Sequence, residues 1–184
     1  MVKNKLVLHQ IVLFGFLGIL VLWSVIRGSF VFNLDLLWWL LGAVLGFLFV
    51  FGDRVVYLLL SNPNEALSIK IKDLLKQNKI GEGTELLLKE RYDQKELVMR
   101  SFLFLIVWIA MAFFAMTSVV NAFARGLILG IGMHIEFDLI YDYLFDKERL
   151  DLWFWQIKRT LEPEEKFWFV VITGFAFILL AFNL

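Results

Sequence analysis

The sequence predicts an all-α, polytopic membrane protein with about five transmembrane helices and a cytoplasmic helical insertion. Three observations carry that expectation. Apolar residues make up 60% of the 184 and charged residues only 20%, whereas an ordinary soluble domain is roughly 45–50% apolar. The apolar residues are also clustered: stretches 6–26, 36–52, 101–124 and 167–184 contain no Asp, Glu, Lys or Arg. A helix needs about 20 such residues to cross about 30 Å of hydrocarbon. The basic residues, finally, are unevenly placed. With the N-terminus inside, two of them (Lys3 and Lys5), eight in 61–100 and five in 146–166 fall on the cytoplasmic side. Arg27 and Arg125 alone mark the outer ends, and Arg54 sits inside the second span. That bias follows the positive-inside tendency only if residues 126–145 also span.

The expected spans are 7–27, 36–60, 101–122, 126–145 and 167–183, within a single membrane domain covering 1–184. The first has a basic start, but it is too long for a signal peptide and lacks a small-residue cleavage pattern, since residues 23–27 read WSVIR. It is therefore read as a retained span. Trp38, Trp39 and Trp168 fall near span ends, where amphipathic rings favour the headgroup level. The connection NAFARG is short enough to make spans three and four an antiparallel hairpin. These spans place the chain in the cell (inner) membrane, N-terminus cytoplasmic and C-terminus outside. The chain has no cysteine, which excludes a disulfide framework and thiolate chemistry. A formal net charge of zero argues against a nucleic-acid partner.

In the insertion 61–100, Asn62 can cap a helix whose first residue is Pro63, with Glu65 answering as its third residue. Leu67, Ile71, Leu74 and Leu75 then recur at helical spacing, and the helix is expected to stop at Gly81. The run TELLLKERYDQKELVMRSFLF lacks Gly and Pro, so one unbroken helix is expected from about residue 84 through span three. Its rival is a hinge near 96–100. In 146–166, Leu150, Trp153, Phe154 and Ile157 share one face of an expected interfacial helix, with a fresh start at Pro163. These cytoplasmic helices lie against the membrane, against the inner face of the protein, or form a surface for a protein partner or a second copy.

The segment GIGMHIEFDLIYD raises the functional question, because four ionisable groups follow an apolar, glycine-rich half-span. At 100° per residue His134, Asp138 and Asp142 fall within about 80° on one face, and Glu136 points roughly the other way. Charges at bilayer depth face the bundle interior and pair with something. Asp53 and Arg54, late in span two, reach a similar depth from the opposite direction, so a plain buried ion pair from Arg54 to Asp138 or Asp53 is one reading of the cluster. Gly42 and Gly46 in span two, with Gly126, Gly130 and Gly132 in span four, would let the two helices approach closely. A polar site between spans two and four, open to the cytoplasm, is the expectation. Asp53, His134, Asp138 and Asp142 are the candidate metal ligands, and Asp53, His134 and Asp138 the candidate catalytic residues. Arg54, with Arg100, is a candidate anion clamp. His9, the only other histidine, starts span one and is a further nitrogen donor near that surface.

On these residues the chain resembles the membrane-bound metal-dependent hydrolase-like proteins over about 36–145. In that family an acidic DxDH-type motif ends one span, a histidine–serine motif opens a later one, and a glycine-rich helix carries HxxxD. Gly130, His134 and Asp138 match the last element, Asp53 one acidic position of the first, and Ser101 the serine. Arg54 stands near where further Asp and His are expected, and Arg100 takes the histidine's place. The resemblance implies a divalent metal and a hydrolytic ancestry, altered at both arginines. Residues alone leave three alternatives: a metal-dependent hydrolase, a non-enzymatic membrane scaffold with no cofactor, and an oligomeric channel or transport component. Membrane lipids are expected partners in all three.

Overall fold

The computed structural model describes residues 2–90 and 93–184. The side chains of Lys3 and Lys5, counted in the charge bias, and residues Arg91 and Tyr92, within the expected long helix, lie outside the described residues. The described chain is all α. Helix α1 (Val2–Ile26) ends in a turn at Gly28, whose φ of 67° suits a residue without Cβ. Helix α2 (Leu34–Phe49) starts where the Asn33 side chain accepts the Leu36 N–H at 3.0 Å. The same rod continues through a 3₁₀ turn (Val50–Gly52), α3 (Asp53–Val56) and a π turn (Tyr57–Ser61). Helices α4 (Ala66–Lys76) and α5 (Ile80–Lys89) form the insertion. They are followed by α6 (Phe102–Thr117), α7 (Ala122–Phe145), the short α8 (Lys147–Asp151) and α9 (Pro163–Ala181). Among the described residues two helical stretches, Val7–Ile26 and Leu34–Ser61, are long and apolar enough to cross a membrane, and Phe102–Thr117 is apolar but shorter.

Helix α7 is the axis of the bundle, packed against α1, α2, α6, α8 and α9. Its first half meets α2 backbone to backbone. A Cβ on Gly126 or Gly130 would run into the carbonyl oxygens of Trp39 and Ala43, and one on Gly42 or Gly46 into those of Phe123 and Leu127. The expected glycine contact between these two helices is therefore real and reciprocal. Gly132 makes a notch for the Trp108 ring of α6, whose Nε1 donates to the Ile128 carbonyl at 2.7 Å. The outer faces stay apolar and exposed: Phe14 and Leu22 on α1, Leu41 and Leu48 on α2, Phe113 and Phe114 on α6, Ile172 and Phe175 on α9.

Several local expectations are corrected. The first insertion helix begins at Ala66 rather than Pro63. The Tyr57 hydroxyl draws the Glu65 carboxylate, and Lys72 Nζ donates to the Pro63 carbonyl at 3.0 Å, so 62–65 close a turn instead. The helix stops at Lys76, before Gly81, because Asn78 adopts a φ of 58°. Lys79 N–H then donates to Leu74 C=O and Asn78 N–H to Leu75 C=O, which satisfies the last carbonyls. The unbroken helix from residue 84 into span three is also overturned. Residues 94–101 are non-helical, and α6 restarts at Phe102, capped by Ser101 Oγ accepting the Phe104 N–H at 3.2 Å. The Asp53 carboxylate holds this hinge by accepting the N–H groups of Val98 (3.1 Å) and Met99 (3.0 Å). Local helix propensity is weaker than two charge-assisted bonds from a buried aspartate. Finally, 146–166 does not form one interfacial helix. Leu150, Trp153 and Phe154 are buried in the main core, while Pro163 does open α9, inside a capping box between Glu162 and Glu165.

Candidate functional site

The second half of α7 is assembled through side chains. In an unbroken α-helix the Phe47 carbonyl would be bonded by the amide of Phe51. Here the ladder tightens to 3₁₀ geometry over Val50–Gly52, and the Phe47 carbonyl accepts from His134 Nδ1 at 2.7 Å. A carbonyl only accepts, so Nδ1 carries the proton and Nε2 presents its lone pair. That lone pair faces Arg100 Nη2 at 3.3 Å and Asp138 Oδ2 at 3.4 Å. Arg100 Nε donates to Asp138 Oδ2 at 2.6 Å, and His9 Nε2 lies 3.1 Å from Asp138 Oδ1. His9, His134 and Asp138 thus offer ligand atoms all within 4.8 Å of one another, and all three are buried.

Aromatic rings wall this cluster. The His134 ring lies 4.6 Å, centroid to centroid, from both Phe47 and Phe51, and the His9 ring 4.6 Å from Phe137 and 4.9 Å from His134. Burial leaves the electrostatic attraction between Arg100 and Asp138 little screened. Both are almost fully buried, at 4% and 1% exposure. Among the described residues Arg100 Nη1 has no hydrogen-bond partner.

Of the residues singled out in the sequence, His134 and Asp138 come together. Asp53 is not in the triad: its two oxygens cap Val98 and Met99, although its charge is felt by Arg100. Asp142, one turn beyond Asp138, accepts the Trp153 Nε1–H at 3.1 Å and lies 3.4 Å from Arg149 Nε, so it anchors the segment after α7. Arg54 Nη1 donates to the Leu87 carbonyl at 3.0 Å, tying the insertion to the end of α3. The arginine on Asp138 is Arg100 rather than Arg54. Glu136 points away from the triad, as its helical position requires, toward Thr173 Oγ1 at 3.3 Å on α9. It is 3% exposed and packed where Gly174 leaves room.

His9 is the component that no motif in the sequence assigns. Its signal is depth: it stands in the first turns of α1, at the end of the bundle to which α7 carries Asp138. Arg100 is legible as a candidate anion clamp, but the bend that brings it to Asp138 is not. Two imidazoles and a carboxylate suit a divalent transition metal. The Phe47 carbonyl and Arg100 are the kind of outer partners that orient a ligating histidine and carboxylate. Comparison with protein-family models, curated proteins and solved structures returns no match.

Proposed function

We propose that this chain is a multi-pass membrane protein that binds a divalent metal ion through His9, His134 and Asp138, in an altered site of metal-dependent hydrolase type. One observation carries the metal reading. The His134 Nδ1–H bond to the Phe47 carbonyl turns the Nε2 lone pair toward the cluster, where the ligand atoms of His9, His134 and Asp138 lie within 4.8 Å of one another. Three protein ligands leave a coordination position open, as catalytic rather than structural sites do. When bound, the metal supplies a Lewis acid for hydrolysis. The chain's own residues orient the ligands, and Arg100 Nη1 offers a donor to an anionic substrate group.

The membrane reading rests on the apolar belt around α7. Phe14, Leu48, Phe114 and Phe175 are all more than half exposed, on four different helices. Soluble proteins rarely expose contiguous apolar surface on that scale. Five spans, with 61–100 and 146–166 cytoplasmic, also follow the charge bias. The chain lacks cysteine, so single cysteines at Lys79, Asn121, Lys158 and Asn183 report sidedness with an impermeant reagent on intact cells. Labelling of Asn121→Cys and Asn183→Cys is expected; labelling of Lys158→Cys from outside overturns the topology.

A non-enzymatic scaffold is the second reading, and Arg100 favours it. The guanidinium already occupies Asp138 Oδ2 and His134 Nε2, which makes a nearly satisfied buried network without any ion. Elemental analysis of the purified protein separates the two. The metal reading expects near-stoichiometric zinc, manganese or a similar ion, lost in His9→Ala and in His134→Ala. A metal-free native protein whose Asp138→Ala variant is destabilised ends the metal reading and leaves the scaffold.

A further inference from the structure

The far end of the bundle, away from His9, His134 and Asp138, holds a second polar feature. Helices α1 and α9 finish there, and α2 and α7 begin. Two adjoining cavities of about 440 Å³ and 650 Å³ open among these ends and share Ser24, Trp39 and Arg125. Arg27 lines the smaller one together with Arg125. Among the described residues neither arginine makes an ion pair, although Asp35 lines the larger cavity. Arg125 makes a long hydrogen bond from Nη2 to the Ser118 carbonyl at 3.4 Å, and its buried Nε has no partner among the described residues. The Arg27 guanidinium rests over the Trp23 ring, 5.6 Å from its centroid.

Two cationic side chains line one cavity, and a buried N–H without an acceptor is unfavourable. An anion in that cavity supplies an acceptor for the Arg125 Nε–H and an opposite charge for both arginines. We propose that this end of the bundle is a binding site for a phosphate-bearing anion, with Arg27 and Arg125 as its two cationic contacts. Guanidinium forks match phosphate oxygens in pairs. Arg125 also lies in the first turn of α7, where the helix dipole adds positive potential. The walls are amphiphilic: Trp23, Trp39 and Phe182 stand beside Ser24 and Asn183. That lining suits a phospholipid headgroup with its glycerol better than free phosphate, and the same two arginines would hold either. The site is separate from the metal centre. Its lipid form alone rests on the membrane reading.

The full chain, purified in detergent, is mixed with phosphatidylglycerol or with phosphatidylcholine, and retained lipid is measured by native mass spectrometry. Wild type is expected to retain the anionic lipid about tenfold better than the zwitterionic one, the scale of one charge-assisted contact. Arg27→Gln/Arg125→Gln is expected to lose that preference, and Arg27→Lys/Arg125→Lys to keep part of it. Where the double Gln variant loses its helical circular dichroism, the single Gln variants carry the test. Inorganic phosphate at millimolar concentration that displaces the lipid identifies free phosphate as a ligand; lipid retained against it identifies the headgroup. Equal retention of both lipids by wild type, with no displacement by phosphate, or unchanged retention in the folded Gln variants, overturns the proposal. Metal content stays at the wild-type value in all these variants, and a chain recovered from the soluble fraction without detergent would count against the membrane reading instead.

Discussion

The two halves of α7 show two opposite ways of packing one helix into a bundle. From Gly126 to Gly130 the contact is backbone against backbone: each glycine is a place where a side chain cannot fit, and no charge is involved. From His134 to Asp142 the contact is made by side chains that reach α1, α2, α9 and the segments on either side of the bundle. The first half tolerates no addition and the second tolerates no loss. The glycine half sets the distance between α2 and α7, and only at that distance can the Phe47 carbonyl meet the His134 ring.

The largest effect is expected from breaking the ionisable half. Asp138→Ala leaves Arg100 buried without its carboxylate and His9 without its acceptor. Removal of one partner of a buried pair costs about 3–5 kcal/mol, so thermal unfolding in detergent should shift more for Asp138→Ala than for a change in the glycine half. That half comes next. Gly130→Val forces a side chain against the Ala43 carbonyl and the Phe47 amide, neither of which can swing away. Overpacking of that kind costs about 1–3 kcal/mol. A Gly130→Val variant more damaged than Asp138→Ala would reverse the comparison and make helix spacing the stronger constraint on the fold.

The hinge that delivers Arg100 gives a smaller, local effect. Asp53→Ala removes the acceptor for two N–H groups, and about 1–2 kcal/mol is expected. Hydrogen exchange should quicken at Val98 and Met99 before it does in α7; uniform acceleration throughout would show that Asp53 supports the whole bundle.

The smallest effect lies outside both halves, at the start of α9. Arg159 holds Glu165 through bonds of 2.8 and 2.5 Å, and the Glu162 N–H adds another, so the Glu165 carboxyl drops from 4.5 to about 2. The folded value is below the unfolded one, so this contribution is present above about pH 4.5 and fades as pH falls toward 2. Because the pair is exposed, added salt should weaken it further. Fraying of 162–166 on acidification, followed by NMR and reduced at high salt, is the expected outcome. Persistence of the capped turn at pH 2 would show that Pro163 and the rest of the cap hold the turn without the ion pair.

Composition and periodicity by themselves determined the all-α class, the helical stretches around the main apolar runs, the glycine contact and the shared face of His134 and Asp138. These are properties of one helix or of two neighbours, so spacing along the chain suffices to read them. Tertiary structure alone decided which groups complete the cluster. Asp53, matched in depth, was drawn instead to the Val98 and Met99 amides, because a hinge there presented two N–H donors that a continuous helix would have used internally. That hinge turned Arg100 onto Asp138 in place of Arg54, and the packing of α1 beside α7 brought in His9, which is 129 residues away along the chain. Sequence spacing registers contacts over one or two helical turns. Pairing across such separations depends on where the chain bends, and at 94–101 the bend was made by a side chain from another helix against the local propensity of the segment itself.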